Sequence, residues 1–159
     1  MWDIIFALVT LIVKKLIINF KIMSYIGNII QEAEVNNFFR KVIFTGKRSQ
    51  LVVMSIPVGG EVGEEVHQHV EQTLFFLSGV CTAILDHETR IVTGGDVVVV
   101  TPGTRHNFIN NGVEPVKIYT VYAPANHIDG RIHETIQDAI DDVEDEEFGD
   151  LPAQAGKAE

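Results

Sequence analysis

A single cysteine, Cys81, stands among 159 residues. It excludes an internal disulfide framework and any zinc site built from clustered cysteines. Basic residues are also scarce: 12 lysines and arginines face 22 aspartates and glutamates, a formal net charge of −10. Nucleic-acid binding needs a basic face, so that class of partner is excluded. The deficit is local. Residues Asp129–Glu159 hold 11 acids and two bases, Arg131 and Lys157, whereas the first 128 residues carry 10 bases and 11 acids. The charge belongs to the tail, and the nearly neutral body leaves small-molecule functions open.

A membrane-length hydrophobic run is missing too. The apolar stretch Ile4–Val13 is stopped by Lys14 and Lys15 before LIINF resumes it. A spanning helix needs about 20 apolar residues, so this run suffices only if the lysines snorkel. A secretory signal carries its positive charge ahead of the apolar run. Here Asp3 precedes it and the lysines follow, and no small-residue cleavage site comes after. Residues 1–22 are read as a leader or as a start upstream of the natural one, with Met23 opening the body. Contact of residues 4–20 with a membrane surface, or a true anchor, are the alternatives. A cytoplasmic location is expected.

What is present is a long series of short strands. From Phe39 to Pro124, β-branched and aromatic runs such as KVIFTGK, QLVVMSIPVGG, TLFFLSG, VCTAILD and VKIYTVYAP alternate with turn residues. Turn signals every 8–12 residues or so are the spacing of an all-β sandwich or barrel. Gly59-Gly60, Gly94-Gly95 and Asn111-Gly112 supply the turns. Val97–Val100 lacks alternation, which predicts a strand covered on both faces. No long helical pattern interrupts the run, which disfavours an α/β fold. After it, Ile132, Ile136, Ala139, Ile140 and Val143 fall at helical spacing. The pattern predicts one amphipathic helix over 136–146, opened by a capping box at Thr135 and Asp138, with the acidic run Asp141–Glu147 as its solvated face. The expected organisation is a barrel over 23–128, an acidic helical segment over 129–148 and a frayed tail over 149–159.

Two stretches carry the chemistry: GEVGEEVHQHVEQTLFFLSG, Gly60–Gly79, and GDVVVVTPGTRHNFIN, Gly95–Asn110. A His-x-His pair on a strand puts both rings on one face, about 6–7 Å apart, a separation that suits a shared metal. Such pairs also occur on solvated strands. His106 alone reads as a hydrogen-bonded structural histidine, and Gln72 alone as a polar residue opening an apolar strand.

Together these stretches resemble the two motifs of the cupin superfamily. Gly95, Gly103, His106 and Asn110 fit the second motif, with Thr101 in the place of its proline and Pro102 just after. Gly60, Gln72 and Gly79 stand at the spacing of the first motif. The segments FRKVIFTGK and VYAPANHIDGRIHETIQDA are similar to those of small mannose-6-phosphate isomerase-like cupins, a likeness that covers about Met23 to Ala139. The resemblance implies a jelly-roll β-barrel (double-stranded β-helix) with a short C-terminal helix, a homodimer, and a divalent metal ion held by His67, His69, Gln72 and His106. Zinc, manganese and iron all suit such ligands.

Two departures stand out. The His67–His69 pair comes one residue later than the frame counted from Gly60 requires. A one-residue slip reverses the faces of a strand unless a bulge absorbs it, and Gly63 is the expected bulge. If nothing absorbs the slip, Val66 and Gln68 point inward instead. Gln72 replaces the motif's glutamate and removes a candidate base; Glu71 is the neighbouring substitute, although its strand parity is wrong. The resemblance implies an isomerase of phosphorylated sugars, with the metal polarising oxygens and a base carrying the proton. His133 and Glu71 are the candidate catalytic residues, with Glu64 beside them. Arg105, Lys117, Lys41 and Arg131 are the cations available for a phosphate. A metal-dependent oxygenase and a non-catalytic small-molecule-binding module are the alternatives.

Overall fold

The computed structural model describes residues 24–151. Residues 1–23 and 152–159 lie outside the described residues, and with them the expectation of a leader over 1–22 and that of a frayed end beyond 151. A short helix α1 (Ile29–Val35) comes first, unforeseen in the sequence pattern; the Asn28 side chain caps it by accepting from the Gln31 N–H. Ten strands follow: β1 (Arg40–Thr45), β2 (Gln50–Ile56), β3 (Glu65–Val66), β4 (Glu71–Ser78), β5 (Val80–Leu85), β6 (Glu88–Thr93), β7 (Val97–Val100), β8 (Arg105–Ile109), β9 (Val116–Ala123) and β10 (Ile132–His133). Two short helices close the described chain, α2 (Ile136–Asp141) and α3 (Val143–Asp150).

Every strand pairing is antiparallel. One sheet runs β10-β1-β2-β9-β4-β7 and the other β3-β8-β5-β6. The inward residues of both sheets form one core, including Val52, Met54 and Ile56 of β2, Leu74 and Phe76 of β4, Cys81 of β5, Phe108 of β8 and Ile118 of β9. Strict two-residue alternation of burial along β4 and β9 puts their other faces outward. At Gly79, φ is +87° and an added Cβ would stand 2.8 Å from the Val116 Cα, so the β4–β5 corner requires glycine.

Three expectations need correction. Val98 and Val100 are buried, but Val97 and Val99 are 54 % and 51 % exposed. The strand lies at the sheet's edge beside β4 alone, with its outer face uncovered. The tail is not one helix. Its capping box forms at Thr135 and Asp138, yet the chain breaks at Asp142, which ends α2 and caps α3 by accepting from the Asp145 N–H. Before α2, β10 adds to β1 through Arg40↔His133, so the sheet extends into the tail. Nor is the acidic run wholly solvated: Asp145 is 2 % exposed. Among the described residues, no helix is long and apolar enough to cross a membrane.

Candidate metal centre

The site begins with a register shift. Glu61 bridges Ile109, and Glu65 pairs with His106. Three residues lie between Glu61 and Glu65 and two between His106 and Ile109, so the first strand carries one extra residue. Gly63 sits inside that interval at φ +96°, a conformation other residues avoid, and its N–H donates to the Asn107 Oδ1 at 3.0 Å. Beyond it, Glu65 stands beside His106. His67, two residues on, reaches the same corner, with its carbonyl accepting from the Gly103 N–H at 2.8 Å.

Ligand-type atoms of Glu65, His67 and His106 all lie within 4.8 Å of one another. Glu65 Oε2 is 3.4 Å from His67 Nε2 and 3.9 Å from His106 Nε2. His106 is 1 % exposed, and its Nδ1 stands 3.0 Å from the Thr104 carbonyl oxygen. A carbonyl only accepts, so Nδ1 carries the proton and Nε2 presents its lone pair. Burial lowers the His106 pKa further, although the Thr104 carbonyl and Glu65 oppose it. Burial works to raise the Glu65 carboxyl, but the adjoining His67 ring, Arg40 and His106 together hold it down at about 2. Gln72, 2 % exposed, donates its Nε2 to the Tyr122 hydroxyl at 2.9 Å. The Tyr122 ring in turn packs edge-on to His67, with ring centres 5.9 Å apart. The Nε2 atoms of His67 and His106 and the Oε1 of Gln72 are buried without a hydrogen-bond partner.

His69 takes no part in this cluster. The strand stops at Val66, and Gln68 and His69 form a bend, so the two-residue alternation does not carry on to His69, which is exposed. Val66 and Gln68 are exposed as well. Glu65 occupies the place expected of a histidine. Counted from Gly59 instead of Gly60, the first motif needs no slip: five residues lead to Glu65, His67 follows at the second ligand position, and Gln72 and Gly79 keep their spacing. The glycine doublet hid that signal.

The two expected catalytic residues lie elsewhere. Glu71 is exposed, on the face of β4 opposite the buried Gln72. His133 is buried, but Arg40 Nε donates to its Nδ1 at 3.3 Å, and its Nε2 lies 2.9 Å from Asp142 Oδ2. Both ring nitrogens are occupied, so His133 is a strut between β1 and the α2–α3 break and has no free nitrogen to act as a base. Asn110 of the second motif is scaffold: its Nδ2 donates to the carbonyls of Ile56 and Glu114, each at 2.9 Å.

A pocket of about 460 Å³ opens beside the cluster, its wall including Glu65 and His67. Arg40 lies in the same wall, 3.9 Å from Glu65 and 3.7 Å from Asp145. Ile136, Ala139 and Ile140 of α2 and Asp145, Glu146, Gly149 and Asp150 of α3 complete one side. The C-terminal helices thus build the chamber.

A family model described as a cupin domain matches residues 52–122. An uncharacterized protein of Bacillus subtilis, YrkC, is 38 % identical over 122 residues, which cover 73 % of this chain and 66 % of that protein. The chain thus spans just under two thirds of that relative's length. An uncharacterized protein of Acanthamoeba polyphaga mimivirus is 32 % identical over 112 residues, covering 68 % of this chain and 70 % of the viral protein. A crystal structure of a Bacillus halodurans protein superposes with a TM-score of 0.74 at 32 % identity, over 76 % of this chain and 96 % of that one.

Proposed function

We propose that this chain, which belongs to the cupin family, holds one divalent metal ion through Glu65, His67, Gln72 and His106 and acts there on a small molecule seated in the adjoining pocket. The observation that carries this reading is the pair of buried, unpartnered imidazole nitrogens of His67 and His106 beside the Glu65 carboxylate; the Gln72 oxygen, likewise buried and unpartnered, belongs to a side chain bonded to Tyr122, whose ring packs on His67. Buried polar atoms in folded proteins are almost always paired, so unpaired ones gathered at one place call for a partner. Two imidazoles, a carboxylate and an amide oxygen fit zinc, manganese or iron. A divalent ion so held supplies Lewis-acid polarisation of a carbonyl or hydroxyl oxygen. The chain's own residues do the rest. Thr104 orients His106, Tyr122 binds the Gln72 amide nitrogen and leaves its oxygen free, and α2 and α3 supply one wall of the pocket.

Redox-neutral isomerisation of a hydroxylated small molecule is the reaction this arrangement supports best. A phosphorylated sugar fits it less well. Arg105 pairs with Glu64, Lys41 with Glu32, and Arg131 with Asp142 and Glu144, while Lys117 donates to the Asn36 carbonyl. None of the four lines the pocket. A second reading, oxygen chemistry at iron, is favoured by one feature: Glu65, His67 and His106 are the two-histidine, one-carboxylate set of non-haem iron oxygenases. Elemental analysis of the purified protein tests both. Zinc or manganese near one equivalent per chain supports isomerisation, iron supports oxygen chemistry, and protein that takes up none of the three when offered them contradicts the metal site. A cytoplasmic setting and a homodimer belong to the same proposal. Light scattering tests the dimer, which requires twice the 17.7 kDa of one chain.

A further inference from the structure

A second histidine of the pocket wall shares the signature of the two at the cluster. His127 is 3 % exposed, lines the pocket, and its Nε2 is buried without a partner. Its Nδ1 lies 2.8 Å from Asp145 Oδ2, while Asp145 Oδ1 accepts the Ile128 N–H at 2.8 Å and the Arg40 guanidinium stands 3.7 Å away. An ionised carboxylate can only accept, so the Nδ1 carries the proton and the Nε2 keeps its lone pair. With Nδ1 occupied, Nε2 is the ring's one polar atom left for an occupant. The loop that carries the ring is clamped as well. Gln50 Nε2 donates to the His127 carbonyl at 2.7 Å, and its Oε1 accepts the N–H groups of Asn126 and His127. Asn126, also in the wall, leaves its Oδ1 buried and unpartnered. The two side chains of this loop that line the pocket, Asn126 and His127, therefore offer acceptors.

The charge of the wall is predominantly negative. Glu64, Glu65, Asp145, Glu146 and Asp150 line the pocket against the single cation Arg40, which two of those acids already hold. Such a wall repels anions, and acceptors require donors. We propose that His127, positioned by Asp145, is the proton acceptor of this pocket, and that its ligand is an uncharged, hydroxyl-bearing molecule. The proposal rests on the pocket being the substrate chamber of the metal site. In the step, a substrate O–H bond breaks, its electron pair stays on the substrate oxygen, and the proton forms the new N–H bond at His127 Nε2. Asp145 neutralises the resulting imidazolium, and the proton returns to product, with no change of oxidation state.

The test uses zinc-loaded, full-length protein with isotope-labelled histidines, observed in long-range proton–nitrogen spectra at neutral pH. The His127 signal is assigned by its loss in His127→Gln or, should that variant fail to fold, by its contact with the Tyr122 ring. The expected spectrum has Nδ1 protonated and Nε2 bare. In Asp145→Asn the two tautomers should mix, because an amide donates as well as accepts. D-mannose, used as the neutral probe, should shift the Nε2 signal several-fold more than mannose 6-phosphate at equal concentration. A proton on Nε2 in the unaltered protein overturns the proposal, and so does a shift from the phosphorylated sugar as large as that from mannose, or no shift from either. The zinc content of the same sample reports on the ligand cluster, so failure there is read separately from failure at His127.

Discussion

His106 sits at the centre of the residue-scale account, because its Nδ1 contact with the Thr104 carbonyl leaves one nitrogen aimed at Glu65 and His67. His106→Ala or His67→Ala should each lower metal occupancy sharply while the circular dichroism of the sheets persists. His69→Ala should leave occupancy unchanged. Gln72→Glu should tighten metal binding several-fold, measured by competition with a chelator, since a carboxylate replaces an amide oxygen and the Tyr122 hydroxyl can donate to it. Burial pushes the Tyr122 phenol up, so it stays protonated for that role. His106 and Gln72 stood at motif spacing in the sequence, while His67 was singled out by residue type, one residue off the frame. Glu65 was not legible, because the frame was counted from the second glycine of a doublet, and His69 then took its place by residue type alone. His127 and Asp145 were not legible at all. They lie 18 residues apart, in a loop and a helix, and only the fold joins them.

At the scale of elements, the bulge at Gly63 decides which side chains of β3 enter the site. Gly63→Ala meets no steric block, since the nearest side-chain atom to an added Cβ is the Ile136 Cδ1 at 3.9 Å. Its cost is conformational: φ of +96° strains an alanine by about 1 kcal/mol. Metal affinity should therefore fall more than the melting temperature does, as the strand slides toward a register that turns Glu65 and His67 away from His106. Equal loss of both would mean the bulge is only structural. Gly63 was visible in the sequence as a bulge site, although the motif did not require one there: counted from Gly59 its frame reaches Glu65 without a slip. The break of the tail into α2 and α3 was not visible. The apolar positions Ile136, Ala139, Ile140 and Val143 keep helical phase, while Asp142 interrupts the backbone by capping the next helix and bonding to His133. Val97–Val100 misled for a related reason: a run of valines suits a buried strand and an exposed edge equally.

For the whole molecule, the acidic C-terminal helices and the sheet are joined by buried charge, and this sets a pH dependence. Burial, with the Arg40 charge, lowers the His127 pKa from 6.5 to about 4 against the opposing pull of Asp145 and Glu65. Between those values the unfolded chain binds the proton and the folded chain does not, so stability rises with pH through this window and is lost on acidification. The loss on going from neutral pH to pH 4 is roughly 3 kcal/mol at most, at about 1.4 kcal/mol per unit. Asp145, whose carboxyl burial alone would raise, is held low by His127, Ile128 and Arg40, and adds a loss of the same sign at lower pH. Thermal melts of the unaltered protein should show the fall between pH 6.5 and 4. His127→Gln should flatten it, and an equally steep fall in that variant would assign the dependence to other groups. The antiparallel barrel as a whole was legible from turn spacing, since alternation and glycine placement are local. The chamber was not, because its wall joins β1, the β9–β10 loop and the tail, segments distant in the chain.

The most direct test of the metal site is the metal content of full-length protein compared with Glu65→Ala and His69→Ala, prepared identically and measured by elemental analysis. The account predicts about one divalent ion per chain in the unaltered protein and in His69→Ala, and a large loss in Glu65→Ala, which removes the single carboxylate of the cluster. Full occupancy in Glu65→Ala, or a loss in His69→Ala instead, would contradict it.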